Sequence, residues 1–157
     1  MPKQTVSEGD DNYPLAEDTL FAARVGLVIH RKTEYELKPH HKKVIDGKAK
    51  VGDKEWYEAW EWPFFVTEPG FEGLEVAGNT DPRITMAEGD KARGWYETIL
   101  DTKIALGDDI DTDLLNGLAC IITVKHRPPR SYNGRSYFES EVDDVFPLTV
   151  REDAPPF

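Results

Sequence analysis

Apolar residues alternate along most of this chain and switch to helical spacing only once in strength, between Ala92 and Leu100. That pattern predicts a mainly β fold with one embedded helix. From Thr19 to Glu36, Phe21, Ala23, Val25, Leu27 and Ile29 share one face, which predicts a long first strand bent at Gly26. Residues 55 to 67 read as a second strand of strong aromatic content, and Pro69-Gly70 turns it toward a third near Leu74 to Ala77. Beyond Pro82, Ala92, Trp95, Tyr96, Ile99 and Leu100 fall on one helical face, with Lys91, Arg93, Glu97 and Asp101 elsewhere. A shorter helical turn is expected at Thr112 to Asn116, started by Asp111 or Thr112 and ended by Gly117. Alternation returns at Leu118 to Lys125, and Asn133-Gly134 signals a hairpin into a last strand from Ser136 to Val145.

Strand, strand, strand, helix, strand, strand is the element order of an OB-fold barrel. The expected organisation is a mobile arm over 1–18, a five-stranded OB-fold domain over 19–149 with its helix between strands 3 and 4, and a short acidic, proline-rich tail over 150–157. A length of 157 residues suits one domain with its own core. The lone cysteine, Cys120, excludes an internal disulfide and favours a reducing compartment. Apolar runs fall far short of the roughly 18–20 residues that a membrane helix needs. Glu8, Asp10 and Asp11 do not fit a signal peptide, so the expected location is the cytoplasm, with no membrane partner.

Charge is segregated. Between His30 and Lys54 there are eight Lys or Arg against four acids, and between Thr123 and Phe138 four Lys or Arg with no acid. Each stretch therefore carries +4, which leaves -19 on the remainder of a chain whose net charge is -11. Both basic stretches fall in the connections that flank the nucleic-acid face of an OB-fold, after strand 1 and after strand 4. Local positive charge attracts phosphate over a Debye length of about 8–10 Å despite an acidic total.

The candidate binding residues follow from those stretches. Lys42, Lys43, Lys48 and Lys50 form the first cation cluster, and Arg127, Arg130 and Arg135 the second. Trp56 and Tyr57 adjoin the first cluster, and Tyr132 and Tyr137 interleave with the second. Stacking on an aromatic face contributes about 1–3 kcal/mol per base whatever the base. Solubilising loop charge and a solvated hairpin have the same composition. Trp60, Trp62 and Phe64 read as core first and platform second.

Nothing in the sequence argues for catalysis, a cofactor or a metal. His30, His40, His41 and His126 lack metal-ligand spacing. Asp108, Asp109, Asp111 and Asp113 lack the glycine and glutamate of a calcium loop. Cys120 lies in an apolar strand and reads as inert.

Several segments resemble the phage-encoded OB-fold proteins of the single-stranded DNA-binding type. They are Trp60-Glu61-Trp62-Pro63-Phe64, Gly73-Leu74, Asn79-Thr80, the helix with Trp95, residues Asp113 to Cys120, then Gly134, Tyr137 and Asp144-Val145-Phe146-Pro147. The resemblance implies a non-catalytic protein that coats or escorts single-stranded DNA in phage replication or recombination, in the host cytoplasm. Acid followed by Pro156-Phe157 also resembles the partner-recruiting tip of bacterial single-stranded DNA-binding proteins, and implies replication or recombination partners there. Self-association is left open. The competing expectation is an acidic OB-fold protein-interaction factor, a host-protein inhibitor or DNA mimic, that binds no nucleic acid.

Overall fold

The computed structural model describes residues 12–152. Residues 1–11 of the expected arm and 153–157 of the expected tail, Pro156 and Phe157 included, lie outside the described residues.

The chain is mainly β. Its strands are β1 (Phe21–Val25), β2 (Ile29–Glu36), β3 (Lys54–Val66), β4 (Glu75–Thr80), β5 (Ala119–His126), β6 (Arg130–Tyr132), β7 (Arg135–Tyr137) and β8 (Ser140–Phe146). Six of them form one sheet in the order β1-β5-β8-β4-β3-β2, and β1 also pairs with β3. That extra pairing closes β1, β5, β8, β4 and β3 into a five-stranded ring. The seam is thin, since parallel β4 and β8 meet at the single register pair Ala77↔Glu141.

The core follows from strand alternation. Phe21, Ala23 and Val25 point inward with Trp62, Phe64, Val66, Val76, Cys120, Ile122 and Val124. A register shift between Thr123 and Val124 lets both Val142 and Val145 of β8 face the interior. Helix α2 (Lys91–Leu100) buries Ala92, Trp95, Tyr96 and Ile99 against the ring. Trp95 meets Trp62 and Phe64 edge-to-face, at centroid distances of 5.4 and 5.8 Å. Gly78 makes room for it, because a Cβ there would lie 2.5 Å from the indole. The buried Trp62 indole N–H donates to Thr80 Oγ1 at 2.9 Å.

Asp90 starts α2. Its carboxylate accepts from the backbone N–H of Arg93 and from both the N–H and the hydroxyl of Thr85. Burial pushes this carboxyl up, but those hydrogen bonds outweigh it and hold its pKa below the ordinary value. A 3₁₀ turn over Thr112–Leu115 follows, capped by Asp111 accepting from the Asp113 N–H.

Several expectations are corrected. The single first strand is two, because residues 26–28 bulge between the pairs Val25↔Phe64 and Ile29↔Glu61, where β3 has only two residues. Pro63, which has no N–H for the ladder, sits across from that bulge, and its carbonyl accepts from Gly26. The last strand is also two, since β7 belongs to a separate hairpin with β6 and the ring resumes only at Ser140. Nor is there one helix: α1 (Lys42–Ile45) lies in the first basic connection, and α3 (Thr149–Glu152) crosses the expected boundary at 149/150.

The described part of the expected arm is packed on the fold. Leu15 is 1% exposed within the core, and Tyr13 stacks on His126 at 3.8 Å with its hydroxyl donating to the Arg127 carbonyl. At the other end, Arg151 of α3 pairs with Glu68 and donates to the Leu20 carbonyl. The Arg151 hydrogen bond holds the Glu68 carboxyl below its usual range.

Candidate nucleic-acid interface

Two appendages leave the ring, and each carries one of the basic stretches. The first is a ribbon. β4 covers β3 only from Trp60 to Phe65, so Lys54 to Ala59 pair with β2 alone. All eight residues of β2 are exposed. From Ile29/Glu61 to Glu36/Lys54 the ribbon spans seven residue steps, roughly 20 Å at strand rise.

The ribbon tip is closed by Leu37, which is buried and exchanges backbone hydrogen bonds with Asp53 and Gly52. Lys42, Lys43, Lys48 and Lys50 are all exposed on this tip. Lys43 pairs with Glu55 at 2.7 Å, and that hydrogen bond raises its pKa. Lys42, Lys48 and Lys50 have no ion pair among the described residues. Trp56 and Tyr57 are 53% and 60% exposed, on opposite faces of the ribbon. Trp56 lies across from Glu34 with the Lys32 ammonium 5.0 Å from its ring, and Tyr57 lies across from Thr33. One strand of nucleic acid on either face meets only one of them.

The second appendage is the β6–β7 hairpin. Asn133 and Gly134 both have positive φ, 51° and 76°, which matches the tight turn their sequence signals. Register pairs Arg130↔Tyr137 and Tyr132↔Arg135 put all four side chains on one face, with Ser131 and Ser136 on the other. Each arginine is therefore opposite a tyrosine. Tyr132 is 69% exposed and Tyr137 41%. Arg130 pairs with Glu139 at 2.7 Å, with Arg127 also within reach of that carboxylate at 3.9 Å, and Arg135 has no ion pair among the described residues.

The bases of both appendages border one cleft of about 460 Å³ at the β4/β8 seam. Glu61 lines it from the ribbon side and Arg127, Phe138 and Glu139 from the hairpin side, with Glu75, Asn79 and Glu141 between. Four glutamates and one arginine thus line it. Arg31 pairs with Glu61, and Lys125 with Glu141 at 3.6 Å. Of the sequence-predicted site residues, only Arg127 reaches the cleft; the lysines lie at the far end of the ribbon, and the other four residues of the second group lie on the hairpin face. Glu139 was missed because the acid-free stretch ends at Phe138, one residue before it.

Trp62 and Phe64 are core, and Trp60 is partly buried against it. Burial pushes the Cys120 thiol up to about 12, which removes it as a nucleophile. Among the described residues no group of three His, Cys, Asp or Glu is placed to hold a metal ion, and no helix is long and apolar enough to cross a membrane. No protein-family model, curated protein or solved structure matches the chain.

Proposed function

We propose that this protein binds single-stranded DNA without sequence preference, chiefly on the exposed face of the β6–β7 hairpin and on the lysine-bearing tip of the ribbon. The observation that carries the reading is the alternation of Arg130, Tyr132, Arg135 and Tyr137 on one hairpin face. Arginine there meets phosphate or stacks on a base, and tyrosine stacks on a neighbouring base. The ring gives further support. Taken as one bent strand, β1 and β2 make the closed sheet compatible with an OB-fold, whose oligonucleotide-binding connections would correspond to the ribbon tip and the hairpin.

A role in phage replication or recombination is part of the proposal through the resemblance of residues 56 to 147. The test is fluorescence anisotropy of a labelled single strand. Replacing Tyr132 and Tyr137 with alanine is expected to weaken binding at least tenfold, from two lost stacking contacts at about 1–3 kcal/mol each. Unchanged affinity would remove the hairpin from the site.

A second reading is favoured by the seam cleft itself. Glu61, Glu75, Glu139 and Glu141 line it, Glu75 without an ion pair among the described residues, and their carboxylates could exchange their present partners for the cations of a basic protein segment. Under that reading the protein is an acidic interaction factor. A partner that binds wild type and is lost on changing Glu75 and Glu141 to glutamine, with no DNA affinity in either protein, would replace the first reading.

A further inference from the structure

β2 ends the sheet. It pairs with β3 on one side and with no strand of the described chain on the other, over eight exposed residues without a proline. Alternate residues of such an edge direct both their N–H and C=O groups away from the sheet, ready to pair with another strand. The side chains are sorted by sign along it: His30, Arg31 and Lys32 come first, and Glu34 and Glu36 last. An antiparallel copy of the same strand therefore sets the basic half of each against the acidic half of the other.

Geometry and charge together narrow the register to one. In an antiparallel pair, directly opposed residues are both hydrogen-bonded or both not, so two copies of one edge can pair only when the opposed residue numbers sum to an even value. A sum of 64 places Lys32 against Lys32 at the two-fold axis, and a sum of 68 places Glu34 against Glu34. A sum of 70 puts Tyr35 on the axis but sets Glu34 against Glu36 beside it, so of these only a sum of 66 has no like charges opposed. It pairs Thr33 with Thr33, Lys32 with Glu34, Arg31 with Tyr35 and His30 with Glu36.

We infer that two copies of this chain associate through their β2 edges in that register, forming a four-stranded sheet β3-β2-β2-β3 across a two-fold axis. Lys32 of each copy stands over Glu34 of the other. In that register Leu37, at the start of each ribbon tip, comes opposite Ile29 at the base of the other copy's ribbon. The association does not depend on what the hairpin face or the ribbon tip binds.

Sedimentation velocity over a concentration series tests this without any ligand. The wild-type chain is expected to shift from monomer toward dimer as concentration rises, more so at low salt. Lys32→Glu alone and Glu34→Lys alone each put like charges across the axis and are expected to stay monomeric. Mixing those two variants is expected to restore a dimer, since each then offers the opposite sign at both positions. The double variant K32E/E34K is expected to dimerise as wild type does, although it worsens contacts inside the ribbon, where Lys32 faces Glu58 and Glu34 pairs with Lys54. A purely structural role would leave the double variant worse than either single one. Circular dichroism of each variant checks that the fold is retained. A wild-type chain that stays monomeric at every concentration, or a dimer indifferent to both charge reversals, would overturn the inference.

Discussion

Gly78 and Glu139 show how much a single position can decide here. A methyl group at residue 78 would press on Trp95 at 2.5 Å and on Val142 at 3.1 Å, in a core that has no spare room. Gly78→Ala is expected to cost about 1–3 kcal/mol by overpacking, read as a lower urea midpoint with an unchanged slope. Under the proposed function Glu139 bears on binding instead, because its carboxylate occupies Arg130 and Arg127, which a phosphate would have to reach. Exposed pairs of this kind are worth about 0.2–1 kcal/mol, so Glu139→Gln is expected to tighten single-strand binding up to about fivefold. Weaker binding by that variant would mean that Glu139 orders the hairpin rather than competing for it. Residue types in the sequence pointed to the cations and tyrosines of the hairpin, and register now places them on one face. The carboxylates that hold those cations were not legible, since an ion pair across a turn depends on where the chain reverses.

Elements were read well where one periodic signal dominated. Ala92, Trp95, Tyr96 and Ile99 mark α2 by spacing alone, and all four are buried. Breaks were harder, because they depend on a partner strand: the bulge at 26–28 answers Pro63 on β3, and the exit at Phe138-Glu139 answers the Arg127 N–H, which donates to the Glu139 carbonyl. Leu15 could not be assigned to the core from a segment without apolar period; only the tertiary fold brings it there. Two carboxylates tie elements together, Asp90 at the start of α2 and Glu68 to α3, and both pKa values are depressed. A depressed carboxyl contributes stability that is present above its unfolded pKa, near 3.8 for Asp and 4.5 for Glu, and is lost as pH falls through the folded value. The urea midpoint is therefore expected to hold from pH 7 to pH 5 and to drop below about pH 4. In Glu68→Gln the midpoint should be lower at pH 7 and the acid drop shallower. An identical acid limb in that variant would mean that the Arg151 clasp carries no stability.

As a whole, the molecule is a small closed sheet that holds two cationic appendages apart from an acidic body. The charge segregation was visible in the sequence. What the sequence did not disclose is that the cleft between the appendages is lined by four glutamates, three of them ion-paired, so the cations that the proposed function needs free are those of the hairpin face and the ribbon tip. Phosphate contacts release counterions, and each one on a single strand contributes about -0.7 to the slope of log affinity against log salt. The decisive measurement is anisotropy of a labelled single-stranded oligonucleotide titrated with the wild-type chain from low to moderate salt, with duplex DNA as competitor. Binding that prefers the single strand and weakens steadily with salt, with a slope that becomes shallower by about 0.7 in Arg135→Ala, is the expected result. No binding at low salt, or an affinity indifferent to salt, would contradict the proposed function.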